Sequence, residues 1–184
     1  MDHPAGCPTL LRLALLQALI EARAMRQILL VVDVQSCFAP PLWLIEGINR
    51  LSRRLPCVAL IEQHDESQTP FLSQLGWCPP RDDCCLIDAD AIFIKHGYTP
   101  SPAAMEYLRQ YQADRILVCG IQTDTCVLAA GFALFDAGLH PTLITDLTVG
   151  SSLDRSGAMG IKLWKHHFGR TIHSRELRLE QDPP

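Results

Sequence analysis

The sequence predicts a single-domain α/β fold, three-layered and Rossmann-like, with a mostly parallel sheet of roughly six strands and helices on both faces. Three observations predict it. Apolar runs of strand length recur along the chain, and most are followed by a segment with helical periodicity. The first of these runs is continuous rather than alternating, as a strand buried on both faces requires. A chain of 184 residues is also the right length for one domain with a proper core.

Each element has its own signal. "ILLVVD" (28–33) is rich in aliphatic residues and reads as a buried parallel strand. "IEGINRLSRRL" follows as a helix, with Pro56 marking its end. "CVALIEQ" is the second strand. Residues 63–83 hold four prolines and glycines among polar residues, so they read as a long connection of the kind that often forms a functional rim. "DAIFIK" (90–95) is the third strand. Ser101 as N-cap and Pro102 at the first helical position start the next helix. "RILVCG" (115–120) is the fourth strand, "DTCVLAAGFALFDAG" a helix ended by Gly138, and "HPTLITD" (140–146) the fifth strand. A helix around 154–166 and a short "RTIHS" strand complete the alternation.

Composition excludes several functions. The net charge is −4 and no basic run occurs, so nucleic acid is not an expected partner. No window of 18 uncharged apolar residues exists, so no membrane span is expected. Eight cysteines include no C-x-x-C pair, and Cys57 and Cys119 lie in or beside apolar runs. Reduced thiols in a cytoplasmic protein are therefore expected. The segment "TLLRLALLQALIEARA" resembles a signal peptide only superficially, because Asp2 precedes it and Arg12 interrupts it. Residues 1–24 read instead as an N-terminal helical extension to a domain of residues 25–184.

In open parallel sheets ligands bind beyond the carboxyl ends of the strands. Asp33 closes the first strand, Lys95 the third, and "GIQTDTC" follows the fourth. A carboxylate, an ammonium and the thiol of Cys126 thus share one sheet edge. Each alone has a bland reading as cap, solvated charge or core cysteine. Thr123 or Asp124 as a cap would put Cys126 in the first helical turn. There the unpaired N–H groups favour a thiolate and can receive an oxyanion.

Three blocks, "ILLVVDVQSCF", "FIKHGYTPS" and "VCGIQTDTCVLAAGFALFDAGLHPTLITDLTVGSS", resemble the signatures of the isochorismatase-like cysteine hydrolases, which include nicotinamidases and N-carbamoylsarcosine amidohydrolase. The resemblance runs from about Ile28 to about Ser174. It implies a triad of Asp33 as general acid–base, Lys95 holding that carboxylate and favouring the thiolate, and Cys126 as nucleophile. It also implies a cis peptide at Ile121–Gln122, with the N–H groups of Gln122 and Cys126 as the oxyanion hole. The implied reaction is hydrolysis of a C–N bond in a small amide or ureide through a covalent acyl-enzyme, in a homo-oligomer, dimer or tetramer. Phe38 matches the family's substrate-packing aromatic; Gln35, Trp43, Tyr98 and Trp164 are further candidates for the substrate pocket, and Phe168 and Arg155 for its lining or gate.

Departures shape the expectation. Nicotinamidases hold a metal through Asp-x-His and a second His. The matching loop here reads "IEQHDESQTPF", with Glu62, His64 and Asp65 but no such spacing, so a solvated loop and no metal or other cofactor are expected. Isochorismatases proper cleave a vinyl ether and typically lack the cysteine, so ether hydrolysis is the alternative reaction. A catalytically silent binding or redox paralogue is a third reading. Asp88-x-Asp90 resembles a phosphatase nucleophile loop but reads better as a turn. His166 and His167 are neighbours pointing about 100° apart on a helix, and one buried ring is expected there rather than a metal site.

Overall fold

The computed structural model describes residues 25–177. The proposed extension at residues 1–24 lies outside them. Six strands, β1 (Gln27–Val32), β2 (Cys57–Glu62), β3 (Ala91–Lys95), β4 (Arg115–Ile121), β5 (Pro141–Val149) and β6 (Thr171–Ile172), form one sheet in the order β3-β2-β1-β4-β5-β6. Every pairing is parallel. The helices are α1 (Leu42–Ser52), α2 (Phe71–Leu75), α3 (Pro102–Tyr111), α4 (Cys126–Asp136) and α5 (Ala158–Phe168).

Strand alternation divides the core into two layers. Leu29 and Val31 of β1 point into a cluster with Leu44, Ile48 and Leu51 of α1. Ile28, Leu30 and Val32 point the other way, into a cluster with Leu108 of α3, Val127, Ala130 and Leu134 of α4, and Trp164 of α5. Both faces are therefore covered, as an all-parallel sheet requires. The chain runs outward from β1 through β2 to β3, then returns to β4 on the other side of β1. The order reverses between β1 and β4, which opens a crevice at their carboxyl ends.

Local chemistry explains the departures from the expected boundaries. β5 runs to Val149 because the register against β4 shifts between Val118 and Gly120, so more of β5 is needed to cover the same stretch. Gly120 stands at that irregularity with φ 114°, and a Cβ there would press on the backbone of Val32. Within the long connection, Phe71 is buried and anchors the short α2, which Gly76 ends in a left-handed conformation. Asp90 accepts a hydrogen bond from the backbone N–H of Cys57 at 2.8 Å, and Asp88 N donates to Asn49 at 3.0 Å. Asp90 thus pins the start of β2, and the backbone at Asp88 is tied to α1, at the sheet edge opposite the crevice. Among the described residues no helix is long and apolar enough to cross a membrane.

Candidate active site

Four consecutive strand ends, in the spatial order β3, β2, β1, β4, supply the polar groups. Lys95 is the last residue of β3 and Glu62 the last of β2, and the two are paired in the ladder. Asp33 directly follows β1 with φ 52°, a left-handed conformation that turns the chain sharply off the sheet. Cys126 follows β4 as the first residue of α4. Asp33, Glu62 and Lys95 are each about 2% exposed or less.

The Lys95 ammonium joins these groups. It lies 2.9 Å from Asp33 Oδ2, 2.6 Å from Glu62 Oε2, 2.8 Å from the Gly97 carbonyl and 3.7 Å from Cys126 Sγ. Its three N–H donors go to Glu62 Oε2, the Gly97 carbonyl and Cys126 Sγ, and the Asp33 carboxylate adds an ion pair. Burial works to lower its pKa, but Asp33, Cys126 and Glu62 outweigh that and hold it above its ordinary value as a cation. The Asp33 carboxyl is pushed up by burial, with Lys95 pulling the other way. Glu62 is likewise raised by burial, to about 7, against the pull of Lys95.

Cys126 accepts a hydrogen bond from Lys95 Nζ and lies near enough to Asp33 to feel its charge. Burial first, then the Asp33 carboxylate, push its pKa well above the ordinary thiol value, with Lys95 acting against them. That direction favours the thiol, against the preference for a thiolate that a helix start alone would give. Two carboxylates stand near one ammonium here, and a second negative charge on sulfur is unfavourable until a substrate takes it up.

The nucleophile turn is built from backbone. The Ile121–Gln122 peptide is cis. Thr125 is the N-cap of α4 and its side chain makes no capping bond. Thr123 and Asp124, the expected caps, are used elsewhere. Thr123 Oγ1 bonds Thr148 Oγ1 at 2.8 Å, and Asp124 accepts from Ser151 N and Oγ at 2.8 and 2.6 Å. The N–H groups of Gln122 and Cys126 have no backbone acceptor among the described residues, whereas their neighbours Thr125 and Val127 both donate to the Gln122 carbonyl.

A cavity of about 390 Å³ opens over this edge. Cys126, Glu62, Gln122 and Thr125 form its polar side, and Phe38, Phe71, Trp77 and Tyr98 its aromatic side, with Cys37, Leu75, Pro79, Ser152 and Arg155 completing the wall. Phe71 and Tyr98 meet edge to face at 5.2 Å, and Phe38 approaches Trp77 at 6.2 Å. Phe71, Trp77 and Glu62 escaped the sequence reading of the pocket. The signal for Glu62 was present, since it closes "CVALIE" just as Asp33 closes "ILLVVD".

Three expected pocket residues and one gate candidate belong elsewhere. Gln35 is fully buried, and its side chain bonds both backbone groups of Glu62, donating to the carbonyl at 3.0 Å and accepting from the N–H at 2.6 Å. It carries the sheet pairing past the turn at Asp33 and fixes Glu62 in place. Trp43 projects from α1 beside another cavity, of about 600 Å³, with Arg50, Arg53, Arg54 and Arg175. Trp164 is fully buried between α5 and α4, with its Nε1 donating to the Arg170 carbonyl at 2.9 Å. Phe168 packs edge to face on it at 4.9 Å, away from the cavity. His166 and His167 are both exposed, and the buried ring of that helix is the indole of Trp164.

The residues do not fit the metal of nicotinamidases. Glu62 is committed to Lys95, Asp65 accepts from Ser67 and Gln68, and His64 Nε2 lies 3.2 Å from Glu66. Among the described residues no three His, Cys, Asp or Glu side chains converge to hold an ion. The loop is not simply solvated either, because His64 is buried beside Phe71.

Comparison with known proteins gives the same picture of the fold. PnC1 from L. infantum, solved in complex with nicotinate, superposes with a TM-score of 0.70 at 22% identity, covering 85% of this chain and 96% of that one. The Acinetobacter baumanii nicotinamidase/pyrazinamidase gives 0.69 at 20%, covering 85% and 100%. N-carbamoylsarcosine amidase from Thermoplasma acidophilum gives 0.70 at 18%, covering 84% and 99%. No curated protein matches the sequence. The family model described as the isochorismatase domain matches residues 83–176, about half of the chain, including Lys95 and the whole of the nucleophile turn. The chain therefore belongs to the isochorismatase family.

Proposed function

We propose that this protein is a cysteine-dependent amidohydrolase that cleaves a C–N bond of a small amide or ureide through an acyl-enzyme on Cys126. One observation carries the reading. At the edge of an aromatic cavity, one buried ammonium is ion-paired to the Asp33 carboxylate at 2.9 Å and donates to the Cys126 thiol at 3.7 Å. Asp33 takes the thiol proton as Sγ attacks the carbonyl carbon, and its raised pKa suits it to hold that proton. The carbonyl oxygen gains negative charge and is received by the N–H groups of Gln122 and Cys126 at the amino end of α4. The C–N bond then breaks, and Asp33 returns the proton to the departing nitrogen. Water enters, gives a proton to Asp33 and attacks the thioester, and the acid leaves as the thiol re-forms. Lys95 keeps the carboxylate in line and balances its charge throughout.

Amidase neighbours of like fold support the amide reading, and the thiol beside Asp33 supports it over ether hydrolysis. The seven described cysteines are all free thiols, which supports a reducing, cytoplasmic setting. Ammonia release from a panel of small amides and ureides tests the reading. Cys126→Ala is expected to abolish it. Asp33→Asn is expected to lower kcat by about 10²- to 10⁴-fold, the range for loss of a general base. Full activity in Cys126→Ala would refute the nucleophile. Survival of activity in Cys126→Ala with its loss in Asp33→Ala would instead favour the ether-hydrolase chemistry.

A further inference from the structure

The cavity of about 600 Å³ beside α1 shares no lining residue with the one over Cys126. Trp43, Gly47, Arg50 and Leu51 line it at i, i+4, i+7 and i+8, so one face of α1 forms its wall. Gly47 lets the helix lie close on β5, since a Cβ there would stand 2.5 Å from Leu147 Cδ2. Buried Leu51 and Leu147 give the groove an apolar floor. Arg53 and Arg54 follow Arg50 at the end of the helix, and Arg175 faces them from the turn Ser174–Glu176. The one acid among the described lining residues, Asp146, already accepts from Ser174 N at 2.7 Å and from Ser174 Oγ, and lies 3.2 Å from His173 Nδ1. Among the described residues no carboxylate is ion-paired with Arg50, Arg53 or Arg175. Four positive charges thus face one engaged negative charge, in a chain whose net charge is −4. The carboxyl end of a helix favours basic residues, but Arg175 belongs to another element and that reason does not reach it.

The groove therefore has a ring at one end and cations at the other. Trp43 is 52% exposed, so its indole can take a flat heterocycle by stacking. Arg50 stands seven residues further on, about 10 Å along the helix axis. Guanidinium forks match phosphate oxygens in paired hydrogen bonds. A ligand with one carboxylate would leave most of the four cations without a counter-charge. Inorganic phosphate would leave the indole and the apolar floor uncovered. We infer that this groove binds a nucleoside diphosphate or triphosphate, with its base on Trp43 and its phosphates between Arg50, Arg53 and Arg175. The volume lies within the range of small-molecule sites, about 300–1,000 Å³. The binding is non-covalent and does not depend on the chemistry at Cys126.

Calorimetric titration of the full chain with ADP, adenosine and pyrophosphate at low salt tests it. ADP is expected to bind, and adenosine and pyrophosphate each to bind at least about 10-fold more weakly, because each keeps only one half of the contacts. Arg50 and Arg175 are exposed side chains, so their replacement leaves the core intact. Arg50→Ala and Arg175→Ala are each expected to weaken ADP by about 10- to 100-fold, the usual effect of a charge-assisted hydrogen bond. ADP is also expected to quench tryptophan fluorescence, and Trp43→Phe to abolish that quench while keeping the affinity within about threefold, since a phenyl ring still stacks. No ADP binding at millimolar concentration, or an affinity unchanged in both arginine variants, would overturn the inference. Pyrophosphate that binds as tightly as ADP would show a groove for anions alone and overturn the nucleotide assignment. A quench that persists in Trp43→Phe would put the base elsewhere, with Trp77 of the catalytic cavity the nearest candidate, and would overturn it too. A short single-stranded oligonucleotide that binds more tightly than ADP would replace the nucleotide by a nucleic acid.

Discussion

Lys95 is where the charges of the site meet, and the balance around it decides the state of every neighbour. Two carboxylates and a thiol share one ammonium, and burial holds each acid above its ordinary pKa against the pull of that ammonium. For Glu62 the consequence for stability has a definite sign. Its carboxyl moves from 4.5 to about 7 on folding. Between those values the folded chain binds more protons than the unfolded one, so the stabilising effect of a protonated Glu62 is complete below about 4.5 and lost as pH rises through about 7. Thermal stability of the wild type is expected to fall from pH 5 to pH 8, with a smaller fall in Glu62→Gln. Equal falls in the two proteins would show that Glu62 is not the titrating group. The roles of single residues were unevenly legible. Asp33 and Cys126 stood out because each follows an apolar strand at the ligand-binding edge. Glu62 does the same, yet its place beside "QHD" drew it into a metal-loop comparison. Gln35, Trp43 and Trp164 were misassigned because residue type says nothing of which way a side chain turns. Gln35 turns inward to the backbone of Glu62, and Trp164 turns into the helix layer.

Elements bring the site into register, and α5 is the one that braces the nucleophile turn. Gly160 lies against that turn so closely that a Cβ would stand 2.5 Å from the carbonyl carbon of Thr123 and 2.6 Å from Asp124 N. Both are backbone atoms and cannot rotate away. Gly160→Ala is therefore expected to cost about 1–3 kcal/mol of stability, the usual penalty for overpacking, and to lower kcat by shifting Gln122 and Cys126. An alanine at the neighbouring Met159, which is 37% exposed, serves as the control. Unchanged denaturation and turnover in Gly160→Ala would contradict the tight contact. Strands were legible from sequence because a strand buried on both faces leaves an unbroken apolar run. Element ends were less so. α1 begins at Leu42 rather than Ile45, because Pro41 in an extended conformation lets the helix start directly after it. α2 was hidden in the long connection, since five residues are too few to show a helical period.

Across the whole molecule, the sheet separates two cores that share little but the backbone of its strands. Ile48 lies in the α1 layer and Leu134 in the α4 layer, and both are fully buried. Ile48→Ala and Leu134→Ala are each expected to cost about 2–5 kcal/mol in urea denaturation. Their costs are expected to add within about 0.5 kcal/mol in the double variant, because the two cavities have no common wall. A large non-additive remainder would mean that the layers repack together. The same separation explains how the site holds together. Four adjacent strand ends are fixed by the parallel ladder, so Lys95 on β3 can act on Cys126 beyond β4 across Glu62 and Asp33. The sequence order of the strands could not reveal that spatial order. The reversal between β1 and β4 is a property of the sheet.

The covalent step is the centre of the account, and trapping it is the most direct test. A turning-over mixture of the protein with a hydrolysed amide or ureide is quenched in acid within milliseconds, digested and mapped by mass spectrometry. An acyl or carbamoyl adduct is expected on the peptide that carries Cys126, with none on the peptides of the other cysteines and no ammonia released by Cys126→Ala. An adduct on a different residue, or ammonia released by Cys126→Ala at the wild-type rate, would contradict it.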